Sequence, residues 1–203
     1  MAKPTKAEMN MFDWMDEEEN TKIDTPTGAT ITIKSKKELK RIKRLDEAKD
    51  AFIKLPESDF STHFISAGLY DFFMLVELAI EKIGKSKEFY ASTWTINREY
   101  VLRIFELYDS GAIGSINFLS GVYFKSRETA VYAQLLNGVR ERGQRYRAFQ
   151  NHAKVVLLQR DDDYIVIEGS ANFTGNPRTE NFTITNSKEL YLFHRKWFDE
   201  MLK

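Results

Sequence analysis

From about residue 64 to the C-terminus, the apolar positions switch repeatedly between the spacing of helices and that of strands. Four stretches place apolar side chains three or four residues apart, which predicts amphipathic helices. Their apolar positions are Leu69, Phe72, Phe73, Val76, Ile80 and Ile83; Val101, Ile104, Phe105 and Tyr108; Val131, Leu135 and Val139; and Leu190, Phe193, Trp197 and Met201. Gly84, Gly111 and Gly143 are placed to end the first three helices, Asn97 can cap the start of the second, and the last begins near Ser187.

Runs of strand-forming residues lie between these predicted helices. They cover residues 88–96, 115–119, 145–150, 155–158, 164–167 and 182–185. Three aspartates, Asp161 to Asp163, separate the two apolar runs at 155–158 and 164–167, which predicts a hairpin of two buried strands. Helices and strands that alternate in this way predict an α/β fold, a mixed β-sheet flanked by helices.

Residues 1–62 follow a different pattern and are predicted to form a charged N-terminal extension to a domain at 63–203. An apolar cluster at 11–15 and an acidic run at 16–19 indicate a mobile tail, and residues 29–33 could form a small strand. Residues 35–55 predict a helix with a thin apolar stripe. Basic residues crowd its first half and form either a solvated face or a surface that contacts phosphate.

Composition limits the possible chemistry. The chain of 203 residues has no cysteine, which excludes disulfide scaffolds, thiol nucleophiles and cysteine-ligated zinc. Its three histidines are scattered, so we expect neither a metal nor a cofactor. The sequence has no apolar run of the roughly 18 residues that a membrane span needs and no signal-peptide pattern. We therefore expect a protein of the cytoplasm that does not bind membranes.

The residues that carry candidate chemistry form three short blocks. They are Asn-His-Ala-Lys at 151–154, Glu-Gly-Ser-Ala-Asn at 168–172, and a segment at 176–181 that ends in Glu-Asn. Side chains two apart on a strand share a face, so His152 should lie beside Lys154, and Glu168 beside Ser170 and Asn172. If the two strands pair, a histidine, a lysine, a hydroxyl and an amide surround one pocket. This combination suits an anion such as phosphate.

Each of these features also has an ordinary structural interpretation. Residues 152–154 could be the polar start of a strand, and residues 169–172 could be a simple turn. Gly169 would let the backbone approach a ligand closely. Trp94 and Phe149 lie near neighbouring strand ends, where aromatic residues belong to the core more often than they act as base-stacking platforms.

The three blocks resemble the half-site of the phospholipase D superfamily, which consists of H-x-K, a linker, and G-S-x-N. The match covers H-A-K at 152–154, G-S-A-N at 169–172 and E-N at 180–181, within a similarity from about residue 64 to the C-terminus. In its amino-acid sequence, the motif is most similar to the motifs of small phage or prophage phospholipase D-like proteins. The resemblance implies a phospholipase D-like fold with one half-unit per chain and a metal-independent transfer of a phosphodiester in two steps.

The resemblance also implies a role for each motif residue. His152 would attack phosphorus and form a phosphohistidine, which water then hydrolyses. Lys154, Ser170 and Asn172 would hold the non-bridging oxygens. Glu180 would orient the histidine. A second histidine across the site would protonate the leaving alcohol and later activate the water.

The sequence departs from the family pattern at two points. Gln159 occupies the position, five residues after the motif lysine, where the family has an aspartate. The fold also needs two motifs per active site, and the chain has one. Residues 194–196 again spell H-x-K, but they lie in the middle of a predicted helix, where positions two apart diverge. His63 is predicted to lie at the surface near a helix start. A single motif implies a homodimer whose two-fold axis brings two copies of His152 together.

Charge bears on the substrate. The 30 basic and 30 acidic residues cancel, which weakens long-range attraction to a polyanion. However, eight basic and two acidic residues lie between Lys125 and Arg160. Arg142, Arg145 and Arg147 flank the strand that leads to the motif, and we predict that they bind a phosphate backbone.

These observations predict a phosphodiesterase, a nuclease acting on DNA or RNA. Glu168 competes with Glu180 for the orienting role and is a candidate substrate contact. The alternative is a non-catalytic nucleic-acid-binding or assembly protein of phage origin that keeps the fold and its anion pocket. A lipid phosphodiesterase is a third option, but the sequence has no apolar interfacial surface. If a phage encodes the protein, its compartment is the cytoplasm of the bacterial host.

Overall fold

A seven-stranded mixed sheet forms the centre of the structure, a computed structural model that describes residues 36–175 and 178–203, with residues 36–39 described by their backbone alone. The strands are β1 (Ser61–Ala67), β2 (Phe89–Thr93), β3 (Asn117–Gly121), β4 (Arg145–Phe149), β5 (Val155–Arg160), β6 (Asp163–Gly169) and β7 (Thr179–Asn186). Their order in the sheet is β1-β7-β6-β5-β2-β3-β4. β2, β3 and β4 are parallel, and the other neighbours are antiparallel.

Among the described residues, six helices accompany the sheet: α1 (Lys36–Ala51), α2 (Phe72–Ile83), α3 (Arg98–Asp109), α4 (Phe124–Arg127), α5 (Thr129–Glu141) and α6 (Lys188–Met201). The larger apolar cluster joins α1, α2, α3 and α5 to one face of the sheet, while α6 packs on the other face. The predicted α/β fold with helices on both faces is therefore confirmed. Within the described ranges, no helix combines the length and apolar character needed to cross a membrane.

Local signals place the helix ends where the sequence predicts them. Asn97 accepts a hydrogen bond from the backbone N–H of Tyr100 (2.9 Å) and caps the start of α3. The side chain of Ser187 caps α6 in the same way. Gly84 ends α2 with a φ of +82°, a left-handed conformation that side chains other than glycine rarely adopt.

The predicted hairpin is confirmed. β5 and β6 pair from Val155↔Glu168 to Arg160↔Asp163, so the turn lies at Asp161 and Asp162. This register brings the start of β5 beside the end of β6. Because β5 runs antiparallel to its neighbour β2, the start of β5 also meets the end of β2. The polar blocks at 151–154 and 168–172 consequently share one edge of the sheet.

Three features depart from the sequence prediction. Residues 61–67 form a strand, β1, so His63 lies on an exposed edge strand beside Thr183 and not near a helix start. A short helix, α4, precedes α5. β7 is longer than the run at 182–185, because polar residues extend it and pair with β1. The predicted strand at 29–33 and the acidic run at 16–19 lie outside the described residues.

Helix α1 packs against the body of the domain. Its buried residue Ala48 and the following Phe52 belong to the main apolar cluster. Arg41 donates two hydrogen bonds of 2.9 Å to Glu77 on α2, and Arg44 donates to the backbone oxygen of Leu69 (3.1 Å). The compact unit thus starts at Lys36, whereas the sequence prediction begins the domain at residue 63.

Candidate active site

An open pocket of about 440 Å³ lies at the edge of the sheet where β5 begins and β6 ends. Residues 152–155 and 168–170 line it, so the structure brings His152, Lys154, Glu168 and Ser170 to one place. His152 and Lys154 lie in the segment just before β5, whereas Glu168 is near the end of β6 and Ser170 directly follows that strand. The pocket therefore follows from the register of the hairpin.

The segment that carries His152 is pinned to β2 by buried polar groups. The side chain of Asn151 donates to Ser92 Oγ (2.9 Å) and accepts from the backbone N–H of Ala153 (3.0 Å). Ser92 in turn donates to the backbone oxygen of Ala153 (3.0 Å). Ser92 is fully buried and Asn151 nearly so. Buried polar groups are costly unless they are paired, so this closed set of bonds fixes the backbone on both sides of His152.

Lys154 lies directly against His152. Its Nζ is 2.9 Å from Nδ1 of the imidazole and donates to the backbone oxygen of His152 (2.6 Å). Lys154 is buried, and burial lowers the pKa of its ammonium, while the charge of nearby Glu180 acts in the opposite direction. Because an ammonium only donates hydrogen bonds, this contact uses the lone pair of Nδ1 and leaves the ring proton on Nε2.

Ser170 and Glu180 form a second polar pair beside the pocket. The hydroxyl of Ser170 donates to the carboxylate of Glu180 and accepts from the backbone N–H of Asn181 (3.1 Å). The backbone of Ser170 also donates to the oxygen of Asn181 (3.0 Å). The block at 178–181 therefore comes to the site because the start of β7 runs beside the end of β6.

Close packing leaves no room for a side chain at position 169, which is a glycine. A Cβ at this position would lie 2.5 Å from Phe182 Cδ1, 2.8 Å from the backbone oxygen of Asn181 and 3.1 Å from Phe72 Cδ2. The structure gives this glycine a packing role, and the close approach of its backbone to a ligand stays a prediction. The phenyl ring of Phe182 occupies the space that a side chain would need.

Asn172 turns its carbonyl oxygen away from the pocket and toward β2. Its Oδ1 accepts from the backbone N–H of Trp94 (3.3 Å) and from Thr93 Oγ1 (3.4 Å). These bonds tie the block at 169–172 to the end of β2. The NH₂ group of the same amide is the end that can donate to a substrate oxygen.

Glu168 pairs with a histidine that the sequence prediction set aside. His194 Nε2 on α6 lies 3.3 Å from Glu168 Oε1, and this hydrogen bond lowers the pKa of the carboxyl, with burial acting in the opposite direction. α6 is helical through residues 194–196, as predicted, so the H-x-K spelling there does not form a second motif. No sequence signal marks the contact, because the two residues are distant in the chain.

Two further residues beside His152 were not predicted as site residues. The rings of Trp94 and His152 have centroids 5.8 Å apart, and the guanidinium of Arg127 lies over the indole at 4.9 Å. Trp94 immediately follows β2, so its place at a strand end was a usable signal. Arg127 lies in α4, which had no periodicity strong enough to predict.

The three arginines predicted to bind substrate do not line this pocket. Arg142 forms a bidentate pair with Asp109 (2.8 and 2.6 Å). Arg145 begins β4, at the end opposite the pocket, and pairs with Asp199 (2.8 Å). Arg147 donates to a backbone oxygen at the C-terminal end of α6. Intramolecular partners thus hold all three guanidinium groups away from His152.

Gln159 lies at the other end of β5 from His152. Its side chain donates to the backbone oxygen of Asp161 in the hairpin turn (2.9 Å), and its backbone N–H donates to Ser86 Oγ (2.9 Å). The residue at this position closes the hairpin and does not reach the pocket.

Comparison with known proteins supports the fold. No protein-family model and no curated protein matches the sequence. Among solved structures, the phospholipase D family member Nuc from Salmonella typhimurium has a TM-score of 0.50 and 18% identity, covering 70% of this chain and 94% of that chain. NucT from Helicobacter pylori has a TM-score of 0.51 and 16% identity, covering 70% of this chain and 95% of that chain.

Polyphosphate kinase from Porphyromonas gingivalis is also similar, with a TM-score of 0.54 and 13% identity over 70% of this chain and 26% of that chain. At such identities the likeness concerns the fold. The chain therefore has the α/β architecture of phospholipase D-like proteins, and the chemistry of its pocket has to be argued from its own residues.

Proposed function

We propose that the chain is a metal-independent phosphodiesterase, a nuclease that forms a phosphohistidine at His152. The observation that carries this proposal is the pocket in which His152, Lys154 and Ser170 meet, with Glu180 bonded to Ser170. These groups supply a nucleophile, a cation and a hydroxyl within one short stretch of sheet edge. The fold shared with the phospholipase D family member Nuc supports the same reading.

In the first step, a ring nitrogen of His152 forms a bond to phosphorus and the bond from phosphorus to the leaving oxygen breaks. Lys154 contacts Nδ1 in the free protein, and a phosphoryl oxygen would draw its ammonium away. The ring can then carry its proton on Nδ1 and attack through Nε2. Lys154, Ser170 and the NH₂ group of Asn172 would stabilise the charge on the non-bridging oxygens.

In the second step, water adds to phosphorus and the bond from nitrogen to phosphorus breaks. The leaving oxygen of the first step needs a proton, and the attacking water of the second step must lose one. A second histidine would serve both needs as general acid and then general base. We propose that it is His152 of the partner subunit, since a two-fold axis at this pocket supplies a second copy of the same groups.

Nucleic acid is the proposed substrate class. Basic residues exceed acidic ones between Lys125 and Arg160, the stretch that contains His152 and Lys154, and one of them, Arg127, lies over Trp94, the ring beside His152. A phosphate backbone is the polyanion that such a surface binds, with an affinity that falls as salt concentration rises.

The decisive experiment measures cleavage of DNA and RNA in the presence of EDTA by the wild type and by His152→Ala. We expect the wild type to cleave at least one of them in EDTA. The substitution should lower the rate by about 10³-fold or more, because the covalent route is lost. Quenching during turnover with alkaline SDS, in which a bond between histidine and phosphorus survives, should trap a nucleic-acid fragment joined through phosphorus to the wild-type chain only.

A lack of cleavage on every nucleic acid, with binding kept by His152→Ala, would contradict the enzyme and favour the alternative of a nucleic-acid-binding or assembly protein of phage origin. The sequence departure that motivates that alternative is Gln159, which stands where the family has an aspartate, although its side chain bonds to the hairpin turn at the far end of β5 from His152.

A further inference from the structure

Trp94 stands between the proposed nucleophile and an exposed cation. Its ring centroid lies 5.8 Å from that of His152, and the guanidinium carbon of Arg127 lies 4.9 Å from the centre of the indole. Trp94 is half-buried and Arg127 is exposed. A guanidinium therefore lies over an indole that is itself beside His152, one of the residues that line the pocket.

The position of the indole is fixed from both sides. The backbone N–H of Trp94 donates to Asn172 Oδ1 (3.3 Å), and its carbonyl oxygen accepts from the N–H of Gly121 (3.2 Å) at the end of β3. A Cβ at residue 121 would lie 2.3 Å from Trp94 Cδ1 and 2.9 Å from Nε1. The absence of a side chain at Gly121 thus makes room for one edge of the indole against the end of the strand.

Arg127 differs from two other arginines near the sheet in its polar partners. Arg142 and Arg145 also lie over aromatic rings, at 4.4 and 5.8 Å, but their guanidinium groups pair with the carboxylates of Asp109 and Asp199 at distances of 2.6 to 2.8 Å. Arg127 lies over the indole of Trp94, the ring beside His152. A guanidinium in this position keeps N–H groups for a phosphate and offers its plane for stacking.

We propose that Trp94 and Arg127 form a nucleobase subsite that selects single-stranded over duplex nucleic acid. The base next to the scissile phosphate stacks on the indole and guanidinium pair, and the N–H groups of Arg127 bind the adjoining phosphate. Stacking on a side chain needs an exposed base face, which single strands offer and duplexes cover with neighbouring pairs. The proposal rests on the proposed function for the placement of the scissile phosphate, but binding tests it separately.

For binding, every variant is made in a His152→Ala background, so that the DNA is not cleaved, and that background serves as the wild type of the binding tests. Binding is measured by fluorescence anisotropy with one fluorescein-labelled DNA, single-stranded or annealed to its complement, at low salt. We expect Trp94→Leu and Arg127→Ala each to weaken single-strand binding by about tenfold, since stacking on one base contributes about this factor. Trp94→Phe keeps an aromatic face and should stay within about threefold of the wild type. Duplex binding should change by less than about twofold in every variant.

Arg140 provides the matched control. It is an exposed arginine in the last turn of α5, at the end of that helix that leads to the start of β4 and away from the pocket. Arg140→Ala removes the same charge, so it should weaken single-strand binding by less than about twofold. An equal loss in Arg140→Ala and Arg127→Ala would mean a diffuse charge effect and would overturn the subsite.

The intrinsic fluorescence of Trp94 gives a readout that a purely structural tryptophan would not give. Titration with the unlabelled single strand should quench the emission of the wild type and quench that of Trp94→Phe much less, because a stacked base contacts the indole. Unchanged quenching in Trp94→Phe, or equal binding by wild type and Trp94→Leu, would overturn the proposal. If circular dichroism shows that Trp94→Leu is unfolded, Arg127→Ala and Trp94→Phe decide the question.

A diester without a nucleobase separates this subsite from the proposed function. With methyl p-nitrophenyl phosphate, Trp94→Leu should retain activity within about threefold while its cleavage of single-stranded DNA falls about tenfold. If the wild type cleaves neither substrate but Trp94→Leu still binds the single strand about tenfold more weakly, the phosphodiesterase fails and the subsite stands. Equal losses on both substrates would mean that Trp94 supports His152 only structurally, which overturns the subsite.

Discussion

Gly169 and Lys154 illustrate how single residues shape the pocket in different ways. Gly169 leaves space for the ring of Phe182 and so allows β6 and β7 to approach where the motif residues meet. Lys154 brings a cation against His152 in a buried position. The identity of both residues could be read from the sequence. The reason why residue 169 is a glycine could not be read from the sequence, because Phe182 comes into contact with it only through the pairing of β6 with β7.

Gly169→Ala should destabilise the protein by about 1–3 kcal/mol, because its Cβ would overlap a ring and a backbone oxygen that cannot both move. Urea unfolding followed by circular dichroism measures the change in the free energy of unfolding. Gly175→Ala is the control, since its Cβ would meet only Arg44 NH1 at 3.6 Å. That variant should change stability by less than about 1 kcal/mol. Equal stability of Gly169→Ala and the wild type would show that the close packing at Gly169 relaxes without cost.

The lowered pKa of Lys154 predicts an early loss of activity at alkaline pH. The ammonium is needed in its charged form, and this form is lost as the pH rises through a pKa that burial has lowered. In Lys154→Arg the guanidinium stays charged at all accessible pH values. The alkaline limb of the kcat/KM profile should therefore move to higher pH, while the maximum falls by about tenfold or more because the geometry differs.

Lys125→Arg serves as the comparison for this profile, because Lys125 is exposed and lies outside the pocket lining. It should leave the alkaline limb in place. An unmoved limb in Lys154→Arg would assign the alkaline loss to another group.

At the scale of elements, helix α1 and strand β1 show what periodicity can and cannot predict. The charged helix was predicted within a few residues of its observed ends, since its apolar stripe recurs at helical spacing. The attachment of α1 to the domain was not predicted, because this attachment depends on the contact of Arg41 with Glu77 on α2, two residues that are distant in the sequence. β1 was missed because only alternate residues near its C-terminal end are buried, as expected of an edge strand.

Phe52→Ala should destabilise the domain by about 3–5 kcal/mol, because it leaves a cavity between α1 and β1. Phe52 is 1% exposed, and its ring meets Phe64 of β1 edge to face at 5.7 Å. Chemical denaturation gives the magnitude. The neighbouring Ile53 is 79% exposed, so Ile53→Ala should cost less than about 0.5 kcal/mol. Similar losses in the two variants would contradict the packing of α1 against β1.

For the whole molecule, the main consequence of the fold is that one chain presents one motif. The described residues place a single H-x-K segment at the sheet edge, and the proposed reaction takes its second histidine from a second copy of the chain. His194 is bonded to Glu168 beside the same pocket, yet it lies on a helix without the motif residues around it. We therefore propose that two copies of the chain, related by a two-fold axis, together supply both histidines and the motif residues that the reaction needs.

Subunit mixing tests this arrangement. When equal amounts of wild type and His152→Ala are unfolded together and refolded, about a quarter of the dimers should carry two intact histidines. Nuclease activity should then follow the square of the wild-type fraction. Activity that follows the wild-type fraction linearly, or a mass measurement that gives monomer at the assay concentration, would contradict a shared site. Wild type refolded alone at the same total concentration is the control.

The sequence by itself determined the elements and the motif. Hydrophobic periods, helix caps and the three aspartates between apolar runs predicted α2, α3, α5, α6 and the hairpin, since these signals act over a few residues. The hairpin already implied that the blocks at 151–154 and 168–172 share one edge, as the pairing of Val155 with Glu168 shows.

Only the tertiary structure decided which other residues join that edge. β5 inserts between β6 and β2, so residues about 60 positions apart in the chain, such as Ser92 and Asn151, come into contact. The same order puts Trp94 beside His152 and Arg127 over Trp94. Arg142, Arg145 and Arg147 are held by partners elsewhere. The physical reason is that the local periodicity specifies each strand and its faces, whereas the order of strands in a sheet depends on contacts between distant parts of the chain.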